Sequence, residues 1–273
     1  MRPLALVLVA FALTSARSAE LAFKKEGKGP GVVFIHGFGG NRGVWAEQVA
    51  RMKKDHTVLT VDLPGHGESA APALKDGAVD LDAVATEVAA LMRKQKLAPA
   101  VVVGHAMGGG IAVRLALADP GGVRGLVLVD SQISVLPDNV SAVLLKGLSE
   151  EPAATLRNYI SASANAGSQT SQLLKEAQKA SPATLAGYVR ALTKDDLEAR
   201  IGGVKVPVTL FASNLLISDP TMEQAGLMRL GLNGFMKLQV NYFVNAKHWV
   251  MQDEPDTFEV LFNDFEAGLG PAK

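Results

Sequence analysis

The sequence contains no cysteine. That excludes a disulfide scaffold, a thiolate metal site, an iron–sulfur cluster and a cysteine nucleophile. It also lacks an excess of either charge: Lys and Arg number 27, and so do Asp and Glu. A balanced chain has no electrostatic reason to hold nucleic acid or acidic lipid, and no nucleic-acid partner is expected. The five histidines fall at 36, 56, 66, 105 and 248. None forms a His-x-x-x-His pair, no Gly-rich run matches a phosphate-binding loop, and neither metal nor organic cofactor is expected. No apolar run is long enough to span a bilayer as a helix.

What is present is a chain of 273 residues, 48% hydrophobic and 20% charged. It can bury a large core, as one large domain or one domain with an insertion. Nothing in the sequence signals an oligomeric state.

The first 18 residues read as an address. Arg2 precedes ten apolar residues, 4–13 (LALVLVAFAL), and then the small, polar stretch 14–19 (TSARSA). That order is the pattern of a secretory signal peptide. Cleavage after Ser18 places Ala16 and Ser18 at the −3 and −1 positions. It removes two arginines and no acid, leaving 25 basic against 27 acidic residues. An exported protein, periplasmic or secreted, is expected, and a cysteine-free chain folds there regardless of redox state.

Beyond residue 19 the chain alternates short apolar runs with helical stretches. The runs are 32–35 (VVFI), 57–61 (TVLTV), 100–103 (AVVV), 125–129 (GLVLV), 206–211 (VPVTLF) and 237–244 (KLQVNYFV). Most are apolar at nearly every position, as parallel strands covered on both faces require. Residues 80–97 place Leu81, Val84, Ala85, Val88 and Leu91 on one helical face. Residues 107–118 and 254–268 also read as helices. This alternation predicts a mostly parallel, doubly wound α/β sheet. Residues 131–205 interrupt it with no clear strand and several helix starts, which predicts a helical cap at 135–202 inserted between core segments 19–134 and 203–273.

Ligands of such sheets bind at the carboxyl ends of the strands, and the informative residues follow the strands. Gly104-His105-Ala106-Met107-Gly108 has the spacing of a strand-to-helix elbow, in which flanking glycines leave room for a sharp, strained turn. With it stand His36-Gly37-Phe38-Gly39-Gly40, Asp62-Leu63-Pro64-Gly65-His66-Gly67-Glu68-Ser69 and Asn245-Ala246-Lys247-His248-Trp249. In these four blocks, in this order, the chain resembles the α/β-hydrolase superfamily over roughly residues 21–269. One departure concerns the leading hairpin: so few residues precede Val32 that its first strand is expected to be missing.

The resemblance implies an α/β-hydrolase fold with a cap, and a hydrolase for small carboxylic esters or related acyl compounds. It implies His248 as general base, backbone N–H groups of Phe38 and Met107 as the oxyanion hole, and a nucleophile at position 106. Position 106 is alanine, which has no lone pair to attack a carbonyl. Losing the nucleophile typically costs on the order of 10⁴ to 10⁶ in kcat. Ala106 admits three readings: a Ser→Ala change in a hydrolase, a natural loss that leaves a ligand-binding protein, or His–Asp base chemistry that needs no nucleophile. The family's acid would fall near Leu215 or Leu216, both apolar. That leaves Asp130, at the end of the preceding strand, or Asp219. Ser69 and Ser131 lie off the elbow and are not nucleophile candidates. His36 and His66 read as turn-stabilising residues. Leu136, Leu144 and Tyr159 of the cap suit a small apolar, ester-like ligand as readily as they suit the cap's own core.

Overall fold

The computed structural model describes residues 20–165, 168–194 and 197–270. The expected signal peptide, 1–18, lies outside them.

Seven strands form one sheet: β1 Phe23–Gly27, β2 Gly31–Ile35, β3 Thr57–Val61, β4 Ala100–His105, β5 Val123–Val129, β6 Val208–Ser213 and β7 Leu238–Phe243. Their order is β1-β3-β2-β4-β5-β6-β7. Every neighbouring pair is parallel except β1 with β3. β1 was not legible as a strand, because FKKEG carries three charges at a partly exposed edge. It is the single antiparallel strand among the described residues. The expected leading hairpin is thus represented by one strand.

The central strands are buried on both sides, which explains their unbroken apolar runs. Val102 of β4 packs into one hydrophobic cluster, and Val101 and Val103 pack into the cluster on the opposite face. The outer strand β7 is only half-buried and reads LQVNYF, with polar residues at the edge.

Helices α1 Ala46–Met52, α2 Leu81–Lys94 and α3 Met107–Ala118 follow β2, β3 and β4. Asp80 caps α2 by accepting from Ala83 N at 3.0 Å, and Val84, Ala85, Val88 and Leu91 are buried. Between β5 and β6 lie α4 Asp138–Glu150, α5 Pro152–Ser163, α6 Ser168–Ala177 and α7 Pro182–Lys194. These are the helices of the inserted cap. A short 3₁₀ segment, Glu198–Gly203, returns the chain to the core. After β6 comes α8 Glu223–Arg229. The expected 254–268 helix is α10 Pro255–Gly268, preceded by the short helix α9 Val250–Asp253. Pro255 lacks an N–H and pushes Glu254 out of the helical region, to φ −132°. Among the described residues no helix is long and apolar enough to cross a membrane.

Candidate active site

The turn after β4 is built by what its glycines lack. A Cβ on Gly104 would stand 2.3 Å from Gly108 O, and one on Gly108 would stand 2.5 Å from both Ile35 O and His36 O. These are backbone atoms that cannot move aside. The two glycines therefore let the first turn of α3 press against β4 and β2. Between them Ala106 sits at φ 49°, ψ −118°, as an elbow residue must. The turn thus has a strained backbone at its centre, and the side chain there is a methyl group. Met107 opens α3, and its N–H belongs to the first turn, whose donors have no partner within the helix.

The loop after β2 carries Phe38. Two buried histidines hold it. Each ring has one donor and one acceptor nitrogen, so each links two loops. His36 Nε2 accepts from Leu63 N at 2.9 Å and its Nδ1 donates to Gly37 O at 2.8 Å. His66 Nε2 accepts from Gly39 N and its Nδ1 donates to Pro64 O, each at 3.3 Å. Burial pushes His36 down to about 4 and His66 down to about 3, so both stay neutral. Asp62 completes this support by accepting from Arg42 N at 2.7 Å and Glu68 N at 2.9 Å.

His248 lies in the turn between β7 and α9. Its Nδ1 donates to Asp130 Oδ2 at 2.7 Å. Asp130 ends β5 at φ 45°, and its other oxygen accepts from Ser213 N at 2.9 Å. Its carboxylate is buried and fixed at both oxygens, so it orients the imidazole. Asp219 is elsewhere. It is exposed, its Oδ1 accepts from Thr221 N at 2.9 Å, and it caps a 3₁₀ turn. Leu215 and Leu216 occupy the loop after β6 and line the cavity.

The structure thus gathers Phe38, Ala106, Met107, Asp130 and His248 around one cavity of about 490 Å³. The cap roofs it with Leu136, Leu144 and Tyr159. Ser131 is buried and donates to Val129 O at 2.9 Å, and Ser69 donates to Asp62 O at 2.6 Å. Both hydroxyls are tied to backbone and neither faces the cavity. Among the described residues no three His, Cys, Asp or Glu side chains cluster as a metal site would.

Two contacts escaped the sequence. Tyr159 Oη lies 3.3 Å from His248 Nε2. His105, buried within the elbow, donates from Nε2 to His248 O at 2.8 Å. Burial keeps His105 well below its ordinary pKa and hence neutral. The histidine before the elbow residue could be seen in the sequence, but not its partner 143 residues away.

The model of the alpha/beta hydrolase family matches residues 32–259. The chain is 29% identical over 208 residues to the pimeloyl-[acyl-carrier protein] methyl ester esterase of Nitrosomonas europaea, covering 70% of this chain and 79% of that protein. It is 41% identical over 106 residues to the dihydrolipoyllysine-residue acetyltransferase component of the acetoin cleaving system of Cupriavidus necator, covering 39% of this chain and 28% of that protein. Among solved structures, the enol-lactonase from Burkholderia xenovorans superposes with a TM-score of 0.80 at 21% identity, covering 92% of this chain and 98% of that one. A thermophilic esterase from Thermogutta terrifontis gives 0.79 at 18% identity, covering 92% and 94%. With the elbow, the sheet order and the match over most of its length, the chain belongs to the alpha/beta hydrolase family.

Proposed function

We propose that this chain is an exported member of the family whose cavity receives a small carboxylic ester or lactone, and whose serine route is closed by Ala106. The observation that carries this reading is the Asp130–His248 pair, at 2.7 Å, lining the same cavity as an elbow that lacks only an oxygen atom. In a serine hydrolase, the imidazole takes the hydroxyl proton, the elbow oxygen attacks the carbonyl, and two backbone N–H groups hold the oxyanion. Here the base, its orienting acid and the oxyanion donors need no side chain at position 106. The apolar roof of Leu136 and Leu144 favours an apolar acyl or alcohol group. The ester-hydrolysing relatives support this substrate class.

The test is hydrolysis of p-nitrophenyl butyrate by the chain and its Ala106→Ser variant. The variant is expected to gain at least about 10³-fold, and a further His248→Ala change to abolish the gain. Silence in the folded Ala106→Ser variant would overturn the ester-site reading. The address reading predicts that the protein recovered from the periplasm or medium begins at Ala19, as N-terminal sequencing would read.

A further inference from the structure

With no hydroxyl at the elbow, His248 Nε2 has a different oxygen for a neighbour. Tyr159 Oη lies 3.3 Å away. The phenol ring stands edge-on to Phe38, with centroids 5.8 Å apart and an interplanar angle of 85°. Tyr159 therefore touches both the candidate base and the loop that carries one oxyanion donor. All of them line the cavity that also receives Ala106.

The support beneath that phenol is tied to the same histidine. Tyr159 and Ser163 are one turn apart on α5. His248 N donates to Ser163 O at 3.1 Å, Trp249 Nε1 to Ser163 Oγ at 3.4 Å, and Lys247 Nζ to Ala164 O at 3.2 Å. These three hydrogen bonds tie the end of this cap helix to the His248 turn. A tyrosine that merely filled space would need ring contacts alone. This one directs its oxygen at the ring nitrogen that the Asp130 pair leaves available.

We infer that Tyr159 is a substitute nucleophile, so that Tyr159, His248 and Asp130 form an acyl-transfer triad for activated esters. The inference rests on the ester-site reading and goes beyond it. The phenol proton passes to His248 Nε2 as Oη bonds to the carbonyl carbon, and the carbonyl oxygen becomes an oxyanion facing the Phe38 and Met107 N–H groups. The oxyanion collapses, the C–O bond to the leaving alcohol breaks, and that oxygen takes the proton from Nε2. Water then attacks the acyl-tyrosine, its proton passes to Nε2, and the departing phenolate recovers it. Burial raises the phenol's pKa, so Tyr159 is neutral at rest and yields its proton only as the new bond forms.

The experiment is p-nitrophenyl acetate turnover by the full chain, with acid quenching and peptide mass spectrometry to locate acetyl groups. The chain is expected to release p-nitrophenol at least about tenfold faster than Tyr159→Phe or His248→Ala, with an acetyl group on Tyr159 at early times. Tyr159→Phe keeps the ring against Phe38, and near-UV circular dichroism checks its fold. The adduct position in the unaltered chain gives an answer that no variant can obscure. Equal release by the chain and Tyr159→Phe, or acetyl groups only on surface residues, would overturn the inference. If Ala106→Ser is acylated at position 106 while the unaltered chain stays unlabelled at Tyr159, the tyrosine inference fails and the ester-site reading stands. If neither protein is acylated within the cavity, both fail.

Discussion

The floor and the roof of the cavity are built on different principles. The floor consists of turns at the ends of β2, β4 and β5, buried and fixed by backbone contacts. A single Cβ at Gly104 or Gly108 would strike a carbonyl oxygen. The roof consists of amphipathic helices whose outer faces are exposed. On α4, Leu148 is buried, Leu144 lines the cavity and Val143 is 72% exposed. The comparison teaches that the geometry for chemistry is held by positions where almost nothing else fits. The roof over the cavity is carried by helices where more side chains would fit.

Four changes would break or sharpen that contrast. The largest effect is expected from Gly104→Ala, whose methyl has no space against backbone. It should cost about 3 kcal/mol or more, read as a lower urea midpoint. A comparable loss is expected on the floor in acid. His36 and His66 are neutral in the folded state, with pKa values of about 4 and about 3, while the unfolded chain binds protons below about 6.5. Their contribution is complete above that pH and declines as pH falls towards 4, by roughly 3 kcal/mol for His36 alone. His56, held charged by Glu266 and Asp55, has a raised pKa and acts in the opposite sense, losing its contribution as pH rises. Urea midpoints at pH 7.5 and 4.5 check this, and His36→Gln should flatten the decline. If that variant declines as steeply as the parent, His36 is not a cause of the decline.

Smaller effects test strain and the roof. Ala106→Gly removes the Cβ penalty at φ 49° and is expected to raise stability by up to about 1 kcal/mol. A loss of stability would mean that packing of the Ala106 methyl outweighs the strain. Val143→Ser should change stability by less than about 0.5 kcal/mol, read from the urea midpoint. A larger loss would show that the outer face of α4 is covered in solution.

Much of the floor was legible because local spacing encodes it. The Gly-x-x-x-Gly turn, the His36-Gly37 turn and the apolar runs before them each report a short-range constraint. Strand β1 was illegible, since an edge strand with charged side chains lacks a two-sided apolar signature. The acid stayed open between Asp130 and Asp219, because nothing local separates a strand-terminal carboxylate from a helix-capping one. Parallel pairing of β5 with β6, and the turn beyond β7, bring Asp130 to His248 across 118 residues.

The sequence by itself determined the alternation of strand and helix, the position of the elbow and the absence of an oxygen at Ala106. Those are properties of side-chain type and short-range spacing. Only the tertiary structure decided which carboxylate meets His248, and that Tyr159 stands where an elbow hydroxyl would be a neighbour. Both depend on how distant segments pack, and distance in space is not written in distance along the chain.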